Sequence, residues 1–224
     1  MAAERTYLPA AGHRFFLPLY DPITRLLGGR RMFGALIAQA ALEPRQAVLD
    51  IGCGTGTLAI LIKEAHPDVA VFGLDPDPPA LARARRKADR AGVSVRFDRG
   101  FAEALEYADR TFDRVFSSMM FHHLHRDERS SVLAEVRRVL KPGGRLEFLD
   151  LAGGTHTFLA QMLHGRQVNA SAEDRLLKRM REAGLIDARR VATRSTILGA
   201  IAYYQAIAPF LRLEVKKAEA TRQA

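Results

Sequence analysis

From residue 47 onward, short apolar runs alternate with longer segments in which apolar residues recur every three or four positions. The predicted strands are AVLDI (47–51), VAVFGLD (69–75), VSVRFD (93–98), FDRVFSS (112–118) and RLEFLDL (145–151). The predicted helices between them are TLAILIKEAH (57–66), PPALARARRKADRAG (78–92) and RDERSSVLAEVRRVL (126–140), and KPGG ends the last of these. The two periodicities are those of buried strands and of amphipathic helices.

This alternation favours a parallel sheet with helices on both faces. Right-handed crossovers then place the loops that follow the strands along one edge of the sheet, which is where open α/β sheets bind ligands. Beyond Gly153 the pattern is looser, and it predicts a helix at 172–185 and two terminal strands at 187–196 and 200–208. Before it, Gly28 and Gly29 divide residues 11–43 into two predicted short helices.

Composition indicates the general class of protein. The 224 residues, 48% of them hydrophobic, suit one domain with a sizeable core. Cys53 is the single cysteine, so no intrachain disulfide forms, and the histidines lack metal-ligand spacing. The first residues do not resemble a signal peptide, and the uncharged run after Arg194 is shorter than the ~20 residues of a membrane span. We therefore expect a cytoplasmic protein with no metal.

The formal charge of +9 favours anionic partners without choosing among nucleic acid, lipid surfaces and acidic metabolites. The basic segments 81–90 and 174–184 alternate apolar with charged residues, as solvated outer helices do. No RNA-binding motif accompanies them. Charge therefore keeps RNA open only as a minor alternative.

A glycine-rich loop, DIGCGTG, follows the first predicted strand. A phosphate-binding P-loop requires a lysine directly after such a loop, whereas the next lysine here is Lys63. A dinucleotide-binding fingerprint requires a third glycine where this chain has Thr57. Neither phosphate-binding motif is therefore intact.

The remaining pattern, D-x-G-x-G-x-G from Asp50 to Gly56, resembles the first motif of the class I S-adenosylmethionine (SAM) dependent methyltransferases. SAM lacks a phosphate, so its loop needs glycines for close backbone approach and needs no lysine. Asp50 is placed to hold the ammonium of SAM, and amides at the helix start to meet its carboxylate. Asp75, at the tip of the next strand, is placed to accept hydrogen bonds from both ribose hydroxyls, a role that dinucleotide-binding proteins share.

Two further segments resemble the same family, namely 112–124 and 139–150, so that the resemblance covers about 48–151. The nearest group is the one that includes the ubiquinone and menaquinone biosynthesis methyltransferases. The resemblance implies a three-layer, Rossmann-like sheet of seven strands in the order 3-2-1-4-5-7-6, the seventh antiparallel. It implies cofactor contacts from Asp50, Gly52, Cys53, Gly54, Thr55, Gly56, Asp75, Pro76, Gly100, Phe101, Ala102 and Ser117.

The chain departs from this family after its third strand. Phe101 stands where many relatives have the acid that binds the adenine amino group. We expect Phe101 to pack on the adenine, with the backbone amides of Phe101 and Ala102 reading the ring edge. A core phenylalanine is the alternative.

Methyl transfer from a sulfonium is an in-line displacement, so a catalytic base is optional. The candidates are His122 and His123, just after the fourth strand, because histidine titrates near neutrality. Of the two, His122 is favoured as the base, and a purely structural role for the pair is the alternative. The motif for methylating amino nitrogens is replaced by SSMMF (117–121), and Cys53 lies within the loop, which argues against cytosine C5 chemistry.

In this family the cofactor edge is roofed by N-terminal helices and by the insert after strand 5, here 7–43 and 152–170. Both are rich in Phe, Leu and Met, which predicts either core-facing helices or an apolar acceptor pocket. Arginines within 11–43 also allow peripheral contact with an anionic membrane. The predicted division is a lid at 1–43, a methyltransferase domain at 44–212 and a tail at 213–224.

The sequence thus predicts a SAM-dependent methyltransferase that acts on a small, apolar or aromatic acceptor in the cytoplasm. Nucleic acid is disfavoured as a partner. An RNA or lipid methyltransferase, a SAM-binding protein without catalysis and a nicotinamide-dependent oxidoreductase remain as alternatives, although Thr57 argues against the last.

Overall fold

The computed structural model describes residues 29–152, 170–196 and 199–210. Its strands are β1 (Ala47–Ile51), β2 (Ala70–Asp75), β3 (Arg96–Arg99), β4 (Phe112–Ser118), β5 (Leu140–Leu151), β6 (Ile186–Thr196) and β7 (Gly199–Ile207). Its helices are α1 (Gly29–Ala40), α2 (Thr57–Ala65), α3 (Pro78–Ala91), α4 (Arg126–Val139) and α5 (Ala170–Glu182), with a 3₁₀ turn at Phe121–His123.

The strands form one seven-stranded sheet in the order β3-β2-β1-β4-β5-β7-β6. The first five strands are parallel, and β7 runs antiparallel to both β5 and β6. The predicted fold is confirmed. The carboxyl ends of β1, β2 and β4 therefore meet at one edge, where the loops that follow them converge.

The core lies on both faces of this sheet. Leu49 and Ile51 of β1 belong to a cluster with residues of α4 and α5, whereas Val48 belongs to a cluster with residues of α1, α2 and α3. Successive strand residues point to opposite faces, so one short strand contributes to both clusters. β1 is consequently buried from Val48 to Ile51.

Two strand boundaries differ from the sequence prediction. β5 begins at Leu140 and includes KPGG, because Leu140 pairs with Phe112 before an irregularity that precedes the regular pairing of Arg145 with Arg114. β3 begins only at Arg96, where pairing with Phe72 of β2 starts. Of the two predicted N-terminal helices, α1 is found, and the other lies outside the described residues.

The helices turn their small or apolar residues to the sheet. α3 buries Ala80, Leu81, Ala84 and Ala88, and two of its basic residues make local contacts: Arg85 donates to the Phe97 carbonyl and Lys87 to Thr57 Oγ1, both at 2.7 Å. The alternation of apolar and charged residues here is that of an outer helix. Within the described parts of the chain, no helix combines the length and the apolar character that crossing a membrane requires.

A buried polar cluster attaches α1 to the sheet. The fully buried Glu147 of β5 accepts hydrogen bonds from Gln39 Nε2 (2.7 Å) and Gln205 Nε2 (3.0 Å). Burial raises the pKa of Glu147, and these donors together with Arg145 oppose the rise. Because a buried carboxylate is stable only with partners, this cluster fixes the position of α1.

Candidate functional site

The loop between β1 and α2 forms the floor of the site. The backbone N–H groups of Gly52 and Cys53 both donate to the Leu74 carbonyl, at 2.8 and 3.0 Å, which ties the loop to the end of β2. Gly52, Gly54 and Gly56 have φ angles of +67°, +52° and +73°. Residues other than glycine rarely adopt φ angles in this left-handed region. The alternating glycines are therefore a backbone requirement of the loop.

Two of these glycines also lack room for a Cβ atom. A Cβ atom on Gly52 would lie 2.4 Å from Met120 Cγ. A Cβ atom on Gly56 would lie 2.8 Å from both Ala84 Cβ and Phe97 Cζ. The loop thus packs directly on α3, on β3 and on the segment that follows β4.

Gly56→Ala is expected to lower the free energy of unfolding by about 3 kcal/mol, since it combines left-handed backbone strain with overpacking. Urea denaturation measures the change. Gly34→Ala is the matched control, because a Cβ atom on the exposed Gly34 of α1 would meet no packed neighbour within 4 Å. We expect that control to gain ~0.5–1 kcal/mol from helix propensity. Equal stability of the two variants would contradict the tight packing of the loop.

Asp75 closes one side of the loop at the carboxyl end of β2. Its Oδ2 accepts the Gly54 N–H and its Oδ1 accepts the Asp77 N–H, both at 2.9 Å. Burial raises the pKa of Asp75, and these two hydrogen bonds partly offset the rise. The carboxyl group therefore holds the glycine loop and also lines the cavity above it.

Asp50 lies beneath the same loop and is completely buried. Neither carboxyl oxygen makes a hydrogen bond of ordinary geometry, although the backbone N–H of Ala59 lowers the pKa somewhat. Burial first, and then the nearby Asp75, raise the pKa of Asp50 to about 8. A cation placed on the loop would relieve this unfavourable charge.

A cavity of about 790 Å³ opens above the loop at the edge of the sheet. It brings together ten of the predicted site residues: Gly52, Cys53, Gly54, Thr55, Asp75, Pro76, Gly100, Phe101, Ala102 and His123. The other four predicted residues, Asp50, Gly56, Ser117 and His122, are not among its lining residues. Ser117 is 1% exposed, and it is the next residue, Ser118, that lines the cavity.

The cavity also has lining residues that are not among the predicted site residues. Phe33 of α1, Leu58 of α2 and the segment Met119, Met120 and Leu124 supply apolar walls, and Glu103, His125 and Glu128 add polar groups. Strand alternation carries the information that only one of Ser117 and Ser118 faces a given side. Phe33 belongs to the segment 7–43 that the family resemblance placed over the cofactor edge, and it lines the same cavity as the glycine loop. No group of His, Cys, Asp or Glu in the described residues is arranged to hold a metal ion.

The two histidines have different surroundings. His123 lines the cavity, whereas His122 Nδ1 lies 2.6 Å from Oδ1 of Asp150, near the end of β5. The His122 backbone N–H donates to the other carboxyl oxygen of Asp150 at 3.0 Å. The two rings lie 3.9 Å apart, centroid to centroid. Sequence reasoning missed Asp150, because a partner 28 positions away leaves no local signal.

The loop that carries Phe101 is clamped by α4. Glu135 accepts the Leu105 N–H at 2.8 Å, and Arg138 donates to the carbonyls of Leu105 (2.8 Å) and Tyr107 (2.7 Å). The ion pair between Glu135 and Arg138 lowers the pKa of the carboxyl group. This clamp holds the segment that directly follows the lining residues Gly100 to Glu103.

The arrangement suits a nucleoside with a cationic tail. A carboxylate lies at the strand tip where a ribose binds in other α/β proteins, a phenylalanine and two backbone amides lie beside it, and a buried acid lies under the loop. Apolar side chains and His123 line the same cavity. The site can therefore hold a charged donor and an apolar partner side by side.

Comparison with known proteins agrees with this geometry. Residues 48–144 match the family model described as a methyltransferase domain. Over 136 residues the chain is 41% identical to a demethylmenaquinone methyltransferase of Thermus thermophilus, and over 139 residues 40% identical to one of Deinococcus radiodurans. These alignments take in 59% of this chain in each case, and 61% and 56% of the relatives, so the chain spans about three fifths of their length.

Solved structures resemble the fold. The Haemonchus contortus phosphoethanolamine N-methyltransferase 2, in complex with SAM, superposes with a TM-score of 0.72 at 17% identity. The superposition covers 89% of this chain and 58% of that one. At this identity the likeness establishes the architecture alone.

Proposed function

We propose that this chain methylates a small apolar or aromatic acceptor with SAM as its cofactor, because residues 48–144 match the methyltransferase domain and the chain is similar to relatives that are named methyltransferases. The observation that carries the proposal is the single cavity shared by the glycine loop, Asp75 and His123. One end of it suits the cofactor and the other an uncharged partner. We place the reaction in the cytoplasm.

The cofactor is proposed to lie across the carboxyl ends of β1 and β2. Asp75 accepts hydrogen bonds from the two ribose hydroxyls, and Phe101 and Ala102 contact the adenine. The glycine loop takes the aminoacyl end, with Asp50 beneath it as the counter-charge of the ammonium. This assignment gives the buried, poorly solvated carboxyl of Asp50 a partner.

Transfer requires alignment of the acceptor atom, the methyl carbon and the sulfur. A new bond forms between acceptor and methyl, the sulfur–methyl bond breaks with its electron pair remaining on sulfur, and S-adenosylhomocysteine is left. The acceptor loses a proton in the process. We propose His123 as the group that accepts this proton, because of the two candidate histidines it is the one that lines the cavity.

A reduced, demethylated quinone is the acceptor class we favour. The walls formed by Phe33, Met119, Met120 and Leu124 are apolar, which suits an aromatic ring with an apolar substituent. Two relatives at 40% identity or more are named demethylmenaquinone methyltransferases. Of the predicted lid segments, 7–43 and 152–170, the parts 7–28 and 153–169 lie outside the described residues.

Calorimetric titration with S-adenosylhomocysteine, beside NADH, tests the cofactor. We expect micromolar or tighter binding of the former and none of the latter. Incubation with SAM and reduced demethylmenaquinone, analysed by mass spectrometry, then tests the acceptor, with catechols and amines as comparison substrates. NADH binding in place of S-adenosylhomocysteine would favour an oxidoreductase. Methylation of amines alone would identify an amine, and not a quinol, as the acceptor.

A further inference from the structure

Asp150 has a defined set of hydrogen bonds that the proposed transfer does not use. The residue is 6% exposed, and its carboxyl group accepts hydrogen bonds from the backbone N–H groups of His122 (3.0 Å) and Leu151 (2.8 Å). It also lies 2.6 Å from His122 Nδ1. A carboxylate only accepts hydrogen bonds, so the short contact requires a hydrogen on Nδ1. Neutral His122 then has its unprotonated nitrogen at Nε2.

The 3₁₀ turn between β4 and α4 is attached to β5 at two of its three residues. Phe121 is buried and packs edge-on against Phe148 of β5, with ring centroids 5.2 Å apart. His122 is tied to Asp150 by both its backbone and its ring. The third residue, His123, follows these two anchors directly, and its backbone N–H donates to the Met120 carbonyl at 3.0 Å. The His122 ring also packs against the ring of His123.

We propose that Asp150 and His122 are positioning residues that hold His123 toward the acceptor, and that His122 is not itself the base. The inference rests on the proposed methyltransferase function. It assigns different roles to the two histidines. His122, bound to Asp150, holds the turn in place, and His123 contacts the reacting molecule. An adjacent pair of like residues thus has two separate roles.

Substitution at His122 separates positioning from proton transfer. The side-chain N–H of asparagine stands close to where imidazole has its Nδ1–H, so His122→Asn keeps the donor to Asp150 but removes the titrating ring. We expect His122→Asn to retain kcat within about threefold, and His122→Ala to lose about tenfold to a hundredfold through misplacement of His123. An equal, large loss in both variants would overturn the inference, because the ring itself would then be needed.

Asp150→Asn tests the partner. We expect a loss of kcat like that of His122→Ala, with the Kd for S-adenosylhomocysteine within twofold of the unsubstituted protein. Asp89→Asn, the same substitution at an exposed position of α3, is the matched control. Unchanged kcat in Asp150→Asn would contradict a positioning role.

The ring nitrogens report the contact directly. In the ¹⁵N-histidine NMR spectrum at pH 8, His122 is expected as the Nδ1–H tautomer, and Asp150→Asn is expected to shift it toward Nε2–H. This measurement needs neither cofactor nor acceptor. An Nε2–H tautomer in the unsubstituted protein would overturn the inference, whereas failure to bind S-adenosylhomocysteine would overturn only the proposed function.

Discussion

Replacing Asp75 with alanine is expected to weaken the binding of S-adenosylhomocysteine about a hundredfold or more. The variant loses the two proposed hydrogen bonds to the ribose, and hydrogen bonds to a charged group contribute about 1.5–3 kcal/mol each. It also leaves the N–H groups of Gly54 and Asp77 without their acceptor, so the glycine loop loses its attachment to β2. Calorimetric titration at pH 7.5 measures the change.

Two variants make this experiment specific. Asp75→Asn retains an acceptor oxygen without the charge, and we expect an intermediate loss of about tenfold. Asp89→Ala removes an exposed aspartate from α3 and is expected to bind as the unsubstituted protein does. A Kd for Asp75→Ala within threefold of the original value would place the ribose elsewhere in the cavity.

The sheet and the loop were predictable because their signals are local. Buried runs of four to seven residues, separated by helical periodicity, are enough to identify parallel strands with crossovers. The spacing of Asp50, the three glycines and Asp75 likewise lies within one strand–helix–strand unit. The order of the strands came from the family resemblance, since apolar pattern alone does not order a sheet.

The contacts that refine the site are not local. Asp150 meets His122 across 28 positions, Glu135 and Arg138 hold a loop about thirty positions earlier, and Gln39 reaches Glu147 across 108 positions. Each pair becomes adjacent only after the sheet has formed. The pattern of the sequence therefore predicts which strand tips carry acids but not which side chain each acid meets.

Three of these acids occupy equivalent places at the carboxyl ends of parallel strands. Asp75 ends β2, Asp50 and Asp150 are the next-to-last residues of β1 and β5, and each is less than 9% exposed. Burial of a carboxyl is unfavourable unless it has a partner. Asp75 has two loop amides and Asp150 has His122, whereas Asp50 makes no hydrogen bond of ordinary geometry. Asp50 is thus the acid of the three whose charge a bound ligand changes most.

This difference predicts a pH dependence of cofactor binding. Burial and Asp75 raise the pKa of Asp50 to about 8 in the free protein, so below that pH the carboxyl is protonated. With the ammonium of S-adenosylhomocysteine on Asp50, as proposed above, binding requires the carboxylate and therefore releases one proton. The association constant is expected to rise about tenfold per pH unit between pH 6 and pH 8, and to level off above pH 8.

The same proton makes the free energy of unfolding of the cofactor-free protein change with pH in the opposite direction to the affinity. The folded chain retains a proton on Asp50 that the unfolded chain releases near pH 4, so the free energy of unfolding falls as pH rises from about 4 to about 8. Titrations in buffers of different ionisation enthalpy count the released proton, and Asp50→Asn is expected to flatten both profiles. An affinity that is constant from pH 6 to pH 8 would place the ammonium of the cofactor away from Asp50. The alternative result is an affinity that rises with pH and a free energy of unfolding that falls with pH, with both trends lost in Asp50→Asn. It would identify Asp50 as a carboxyl group that is neutral in the free protein and becomes ionised when the cofactor binds.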